Sequence, residues 1–216
     1  MAIRLFCLEG YPSTNVTTAT SPTFFENAIP SFLDSAGEDC NTGIALSSIE
    51  ALGLTQVYIA DLTQATFTPG SPGGTWSAPS QVQTLSESML PSVAGGIAVA
   101  QGTHTGIVAG EFGGDAITAI ALPTTSGTGI PAISDWVTCR IGGGFSNGFD
   151  PHTVTAYKSP NGGDAIGLVS DGSATTLAVI DLTKMLNPTI VPRTAGGHAC
   201  VSGTLPATVL STIAVP

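Results

Sequence analysis

An all-β fold built from repeated four-stranded units is what the sequence predicts, on three observations. Gly (27) and Pro (15) interrupt the chain at short intervals, and both residue types mark turns. Between them lie short runs rich in Val, Ile, Thr and Ala, of which the β-branched types favour a pleated, half-buried surface. Similar runs return at Gly43, Gly96 and His152, a period of roughly 50 residues that falls within the range of repeat architectures.

Residues 1–42 stand outside this pattern. Tyr11 to Pro22 is rich in Thr, Ser and Pro and reads as loop, and Pro30 limits Thr23 to Asp34 to one helical turn. The segment is read as irregular, or as the remnant of a preceding blade. Asn15-Val16-Thr17 matches a glycosylation acceptor pattern, a match short enough to arise by chance.

The repeat begins at Gly43-Ile44-Ala45-Leu46-Ser47, which is echoed by Gly96-Ile97-Ala98-Val99-Ala100 and by His152-Thr153-Val154-Thr155-Ala156. Second apolar runs follow at Gln56 to Asp61, Thr105 to Glu111 and Asp164 to Ser170. Third runs are expected at Thr75 to Leu85, Asp115 to Leu122 and Thr175 to Leu182, after turns such as Gly113-Gly114 and Asp171-Gly172. Ile44 to Leu52, ending at Gly53, has the outline of a short helix with a glycine cap, but its parallel with Gly96 to Ala100 favours a strand. Thr183 to Leu186 reads as a helical turn that closes a unit.

Short strands, frequent turns and this repeat length match a four-stranded propeller blade; a sandwich shares the first two features and lacks the third. The expected fold is therefore a β-propeller-like array of three to four blades over residues 43–216, with units starting near 43, 96 and 152. Propellers close with about four to eight blades, and about three and a half fit here. The expected ring is incomplete: a fragment of a longer propeller, a half completed by further blades or by a second copy, or an array with unusual closure.

Asp150-Pro151-His152-Thr153-Val154, Asp164-Ala165-Ile166-Gly167-Leu168-Val169 and Leu177-Ala178-Val179-Ile180-Asp181-Leu182 together resemble a blade of the bacterial YVTN-type or lactonase-like propeller proteins. Gly96 to Pro123 resembles another, and the resemblance covers roughly residues 43–190. It implies blades whose third strand ends in a hydrophobic-Asp pattern. In the lactonase-like members it also implies a central pocket.

Composition narrows the function. Fifteen acidic against five basic residues give a net charge of −10, which disfavours nucleic acid, because binding it requires Lys and Arg to neutralise phosphates. No apolar stretch reaches the roughly 18 residues of a membrane span. Met1 to Gly10 is too short and then too polar for a signal peptide, so either the protein is cytosolic or this reading frame begins downstream of an export signal; low Lys content with abundant Thr, Ser and Gly favours the second. Cys7, Cys40, Cys139 and Cys200 allow two disulfides in three pairings. Cys7–Cys40 with Cys139–Cys200 keeps each pair within one half of the chain, and four buried or free thiols are the alternative.

No catalytic constellation stands out. Of His104, His152 and His198, His152 lies beside Asp150 with Asp164 in the next run; no HxH or HExxH spacing supports a metal. Glu111 and Asp115 flank Phe112-Gly113-Gly114, where paired carboxylates serve acid–base chemistry or simply a turn. Glu38, Asp39 and Asp171 read as turn residues. Ser86 and Ser146 lack a GxSxG elbow, and Gly142-Gly143-Gly144 lacks the GK[ST] ending of a phosphate loop. Trp76, Trp136 and Tyr157 read as packing. A non-catalytic binding or scaffold propeller without cofactor is the leading expectation. A lactonase-like hydrolase using His152, Asp150 and Glu111, and a self-assembling structural protein, are the alternatives.

Overall fold

The computed structural model describes residues 35–39, 42–51, 54–64, 66–68, 75–77, 82–85, 93–111, 116–125, 133–141, 151–172 and 175–215. Within them the fold is all-β. Sheet 1 is an antiparallel meander of β1 (Ser35–Asp39), β2 (Ile44–Ala51), β3 (Leu54–Asp61) and β6 (Val82–Leu85). Between β3 and β6, β4 (Thr66–Thr68) and β5 (Thr75–Ser77) pair as a separate two-stranded ladder. Sheet 2 is a second meander of β7 (Val93–Ala100), β8 (Thr105–Glu111), β9 (Ala116–Ala121) and β10 (Asp135–Arg140). Sheet 3 repeats the arrangement with β11 (Pro151–Lys158), β12 (Ala165–Asp171) and β13 (Thr176–Asp181). The helix α1 (Leu182–Leu186) follows, β14 (Ala199–Thr204) returns to add a parallel strand to β10, and β15 (Leu210–Ala214) completes sheet 3. Among the described residues the three meanders form no closed ring, and no helix is long and apolar enough to cross a membrane.

The strand frame differs from the sequence expectation in the first unit. Sheet 1 opens at β1, inside the segment read as irregular, and Ile44-Ala45-Leu46 belongs to its second strand. Ser35-Ala36-Gly37-Glu38-Asp39 carries no apolar alternation, so a pattern search passes over it. Gln56 to Asp61 consequently lies in the third strand, and Thr75 to Leu85 is divided between β5 and β6. Glu38, Asp39 and Asp171, read as turn residues, belong to strands, and Asp39 and Asp171 are buried.

Ladder register fixes the true repeat. Ile44 pairs with Asp61, Thr105 with Ala121 and Ile166 with Asp181. These second-strand and third-strand positions advance together, so the unit is about 60 residues long, above the spacing expected from sequence yet still that of a repeat architecture. At two of the third-strand ends an aspartate caps a helical turn. Asp61 Oδ1 accepts from the Thr63 backbone N–H at 3.0 Å, ahead of the 3-10 turn Leu62–Gln64. Asp181 Oδ1 accepts from the Lys184 N–H at 2.9 Å and caps α1, satisfying donors that a helix start leaves open. Asp181 also accepts from Lys184 Nζ at 2.8 Å and holds that ammonium above its ordinary pKa. Sheet 2 has Ala121-Leu122-Pro123 here, with no carboxylate.

The sheets stack face to face, with sheet 2 in the middle. Strand alternation sends Ile97, Val99, Val108, Ile120, Leu122 and Trp136 toward sheet 1, where they meet Ile44, Leu46, Val57 and Ile59. The alternate residues Ala100, Ile107, Ala109, Ile117, Ala119, Val137 and Cys139 join the core shared with sheet 3. Burial on both faces explains why β9 reads as a continuous apolar run. Its one polar inward residue, Thr118, meets its cross-strand partner Thr138 through hydroxyls 2.8 Å apart.

Glycines admit the neighbouring sheet. A Cβ at Gly106 would stand 2.6 Å from Leu46 Cδ2, and a Cβ at Gly167 would stand 2.8 Å from Ile107 Cδ1. β7 touches both β1 and β11. Toward the outer strands, α1 lies against β8, β9 and β10 and contributes buried Leu182 and Met185 to the core. There Cys139 and Cys200 form a disulfide between β10 and β14, with Cα atoms 5.5 Å apart. Cys7 and Cys40 lie outside the described residues.

Two stability measurements check this packing. Gly106→Val is expected to cost about 2 kcal/mol by overpacking, and adding Leu46→Ala to it should cost less than the two single losses together, because the sites share one space. Replacing both Cys139 and Cys200 with Ala should lower stability by about 4 kcal/mol, from the unfolded-chain entropy of a loop closed across a sequence separation of 61.

Candidate functional site

The polar groups that the fold brings together gather at one end of the sheets. Across sheet 1 that end is the row Asp39, Ile44, Asp61. Across sheet 2 it is Ala100, Thr105, Ala121 and Asp135. In sheet 3 the same end holds Lys158, Ala165, Ile166 and Asp181.

At the seam of sheets 1 and 2, His104 Nδ1 lies 2.6 Å from Asp39 Oδ2. The Asp39 carboxylate is fully buried, and the His104 side chain is 31% exposed. A carboxylate oxygen can only accept, so Nδ1 carries the hydrogen and Nε2 is the basic nitrogen of the neutral ring. The β1–β2 turn is closed by the Thr42 and Gly43 N–H groups donating to the Asp39 carbonyl, at 3.2 and 2.7 Å. Gly43 stands immediately before β2 with φ 71°, and His104 stands immediately before β8 with φ 52°. A histidine therefore occupies the left-handed position that glycine fills in the first hairpin, at a conformational cost. The Leu122 N–H donates to the His104 carbonyl at 2.8 Å and ties the turn to the end of β9.

A second group sits at the β10–β14 edge. The His198 ring stacks on Trp136 with centroids 4.1 Å apart and planes 10° from parallel, and His198 Nδ1 lies 2.9 Å from the Trp136 carbonyl. Arg193 Nη1 donates to Asp135 Oδ1, which also accepts the Trp136 N–H at 2.8 Å. Arg193 Nη2 donates to the Leu186 carbonyl at 2.7 Å, linking α1 to this edge.

The residues singled out from sequence for chemistry lie elsewhere. Glu111 ends β8 opposite Val93, and His152 is the second residue of β11, next to Pro151, which pairs with Asp171. Both are at the end of the sheets opposite His104, and their side chains lie outside the described set, as do residues Asp150 and Asp115 altogether. Among the described residues no group of three or more His, Cys, Asp or Glu side chains could hold a metal. An oriented imidazole of the His104 type is half of a base-and-nucleophile arrangement; among the described residues its ring is hydrogen-bonded to Asp39 and to no hydroxyl or thiol. The pair ties two sheets together and presents an imidazole edge at the rim. Sequence reading missed it because residues 39 and 104 meet only once sheets 1 and 2 are stacked.

His104→Gly removes the ring while keeping the left-handed turn easy, so its cost isolates the partnership with Asp39: about 2 kcal/mol by chemical denaturation. His104→Ala is expected to lose about 1 kcal/mol more, because alanine is strained in that backbone conformation. Equal losses would show that the backbone conformation contributes nothing. Comparison of the chain with known protein families, curated proteins and solved structures finds no match.

Proposed function

We propose that this chain is a non-catalytic binding or scaffold module of the propeller type, each four-stranded meander serving as one blade. The observation that carries the reading is the recurrence of equivalent ladder pairs, Ile44 with Asp61, Thr105 with Ala121 and Ile166 with Asp181, through three meanders stacked in chain order. Two features support it. The first strands β1, β7 and β11 are neighbours, while α1 occupies the space between the outer strands of sheets 2 and 3, as blades diverging from an axis require. The hydrophobic-Asp ending implied by the family resemblance stands at Asp61 and Asp181, each capping a turn.

Binding in this reading falls to the rim of hairpins and capped turns, where the Asp135–Arg193 and Asp181–Lys184 ion pairs and the His104 imidazole held by Asp39 stand on strand ends. The Cys139–Cys200 disulfide supports residence in an oxidising compartment.

The alternative hydrolase would work at the opposite end, through Glu111 and His152. Purified protein is expected to hydrolyse a panel of lactones no faster than its His152→Ala and Glu111→Gln variants do. Hydrolysis abolished by either substitution would overturn the non-catalytic reading.

A further inference from the structure

β11 and β12 are joined by Ser159-Pro160-Asn161-Gly162-Gly163-Asp164, beyond their last ladder pair, Lys158 with Ala165. Pro, Asn and Gly in this order are turn formers, each for its own backbone reason. Three hydrogen bonds hold the turn. The Ser159 N–H donates to the Asp164 carbonyl at 2.7 Å, and the Gly163 N–H donates to the Ser159 carbonyl at 3.1 Å. The Asn161 N–H reaches Ser159 Oγ at 3.4 Å. Among the described residues no hydrogen bond engages the Asn161 carboxamide or the Gly162 N–H, and both residues are exposed.

The two glycines after Asn161 serve different ends. Gly163 has φ 77° and supplies the left-handed position that the turn requires. Gly162 does not adopt that conformation; what its missing side chain leaves is space. A Cβ there would stand 3.2 Å from Asp164 Oδ2. The same lack of a side chain leaves the Gly162 nitrogen without steric cover, directly after the Asn161 carboxamide. Asn187 is the contrast. It too is exposed, but its Oδ1 accepts the Thr189 N–H at 2.9 Å, and the next residue is Pro188, whose nitrogen has no hydrogen to give up.

We infer that Asn161 is a site of spontaneous covalent modification, converting to aspartate and isoaspartate through a cyclic imide formed with Gly162. The Gly162 nitrogen attacks Asn161 Cγ. A new C–N bond forms, the bond from Cγ to the side-chain nitrogen breaks, and ammonia leaves with the proton that Gly162 gives up. Water then opens the ring. Addition at the side-chain carbonyl yields aspartate; addition at the main-chain carbonyl yields isoaspartate, in which the main chain runs through Cβ. Water is the one co-reactant. Asparagine is known as a thermolabile residue, and an exposed loop tip is where such change is tolerated.

Either product adds a carboxylate at the tip of this hairpin, at the end of sheet 3 that also holds Lys158 and Asp181. The charge of Asp164 already favours the Lys184 ammonium there. Isoaspartate further lengthens, by a methylene, the main chain of a turn closed by Ser159 and Gly163. This end of sheet 3 therefore undergoes a slow, one-way change of charge and shape, whether or not the sheets are propeller blades.

Trypsin separates the relevant sites, because Arg140, Lys158, Lys184 and Arg193 place Asn147, Asn161 and Asn187 on three different peptides. The full chain is held folded in mildly alkaline water labelled with heavy oxygen, then digested briefly at mildly acidic pH. The Ser159–Lys184 peptide is expected to lose ammonia, take up the label and split chromatographically into two products of equal mass, aspartate and isoaspartate, faster as the pH of the incubation is raised. The peptide with Asn187 should stay unlabelled. Gly162→Ala, with unchanged circular dichroism, should slow the conversion several-fold, because the methyl group shields the attacking nitrogen. A Ser159–Lys184 peptide that converts no faster than the Asn187 peptide, that converts only after unfolding in denaturant, or that converts at an undiminished rate in Gly162→Ala would overturn the proposal.

Discussion

A four-stranded meander has two faces, and in sheet 2 both are apolar, so that sheet cannot be stable with water on either side. That need for a cover on each face orders the rest of the structure. Burying a Leu or Ile side chain contributes about 2 kcal/mol, and sheet 1 alone sends Ile44, Leu46, Val57 and Ile59 into sheet 2 at zero exposure. Sheets can approach closely enough for this only where one of them yields volume. Gly106 yields to Leu46, Gly167 to Ile107, and Gly96 lies against Val154, its absent Cβ only 3.0 Å from Val154 Cγ1. The glycines therefore act as sockets, although a glycine in a strand interior is ordinarily a weakness.

The same constraint decides where polar residues go. With both faces of sheet 2 covered, hydrogen-bonding side chains are confined to strand ends, to edge strands, or to pairs that satisfy one another. Thr118 and Thr138 are of the last kind. Asp39, Asp61, Asp135 and Asp181 are of the first, each at the start or end of a strand and each accepting a hydrogen bond there. The wedge between the outer strands of sheets 2 and 3 is filled differently. Asp181 starts α1, Met185 and Leu182 point into the gap, and the return through β14 is tied to β10 by the disulfide.

Strand content was legible in the sequence because apolar alternation is local; the turn expected at Gly113-Gly114 lies outside the described residues. The true frame was not. Ile44-Ala45-Leu46 and Ile97-Ala98-Val99 look alike because both alternate, yet one is a second strand and the other a first. The reliable marker was the recurrence of Asp61-Leu62-Thr63, Ala121-Leu122-Pro123 and Asp181-Leu182-Thr183, in which the middle copy has alanine for aspartate. A motif degenerate in one of three units is easily overlooked. The His104–Asp39 and Arg193–Asp135 pairs were beyond reach for another reason: their members stand 65 and 58 positions apart, and their meeting depends on how the sheets stack. Proximity in sequence drew attention instead to Glu111 with Asp115 and to His152 with Asp150, and Glu111 and His152 occupy the other end.

The outward face of sheet 3 is more mixed than the enclosed ones: Leu168 stands opposite Thr155, Leu177 opposite Ser170 and Val179 opposite Ser211. The chain's low charge, 9% of residues, follows from a shortage of wet surface: stacked sheets leave few positions on which a charged side chain can remain in water.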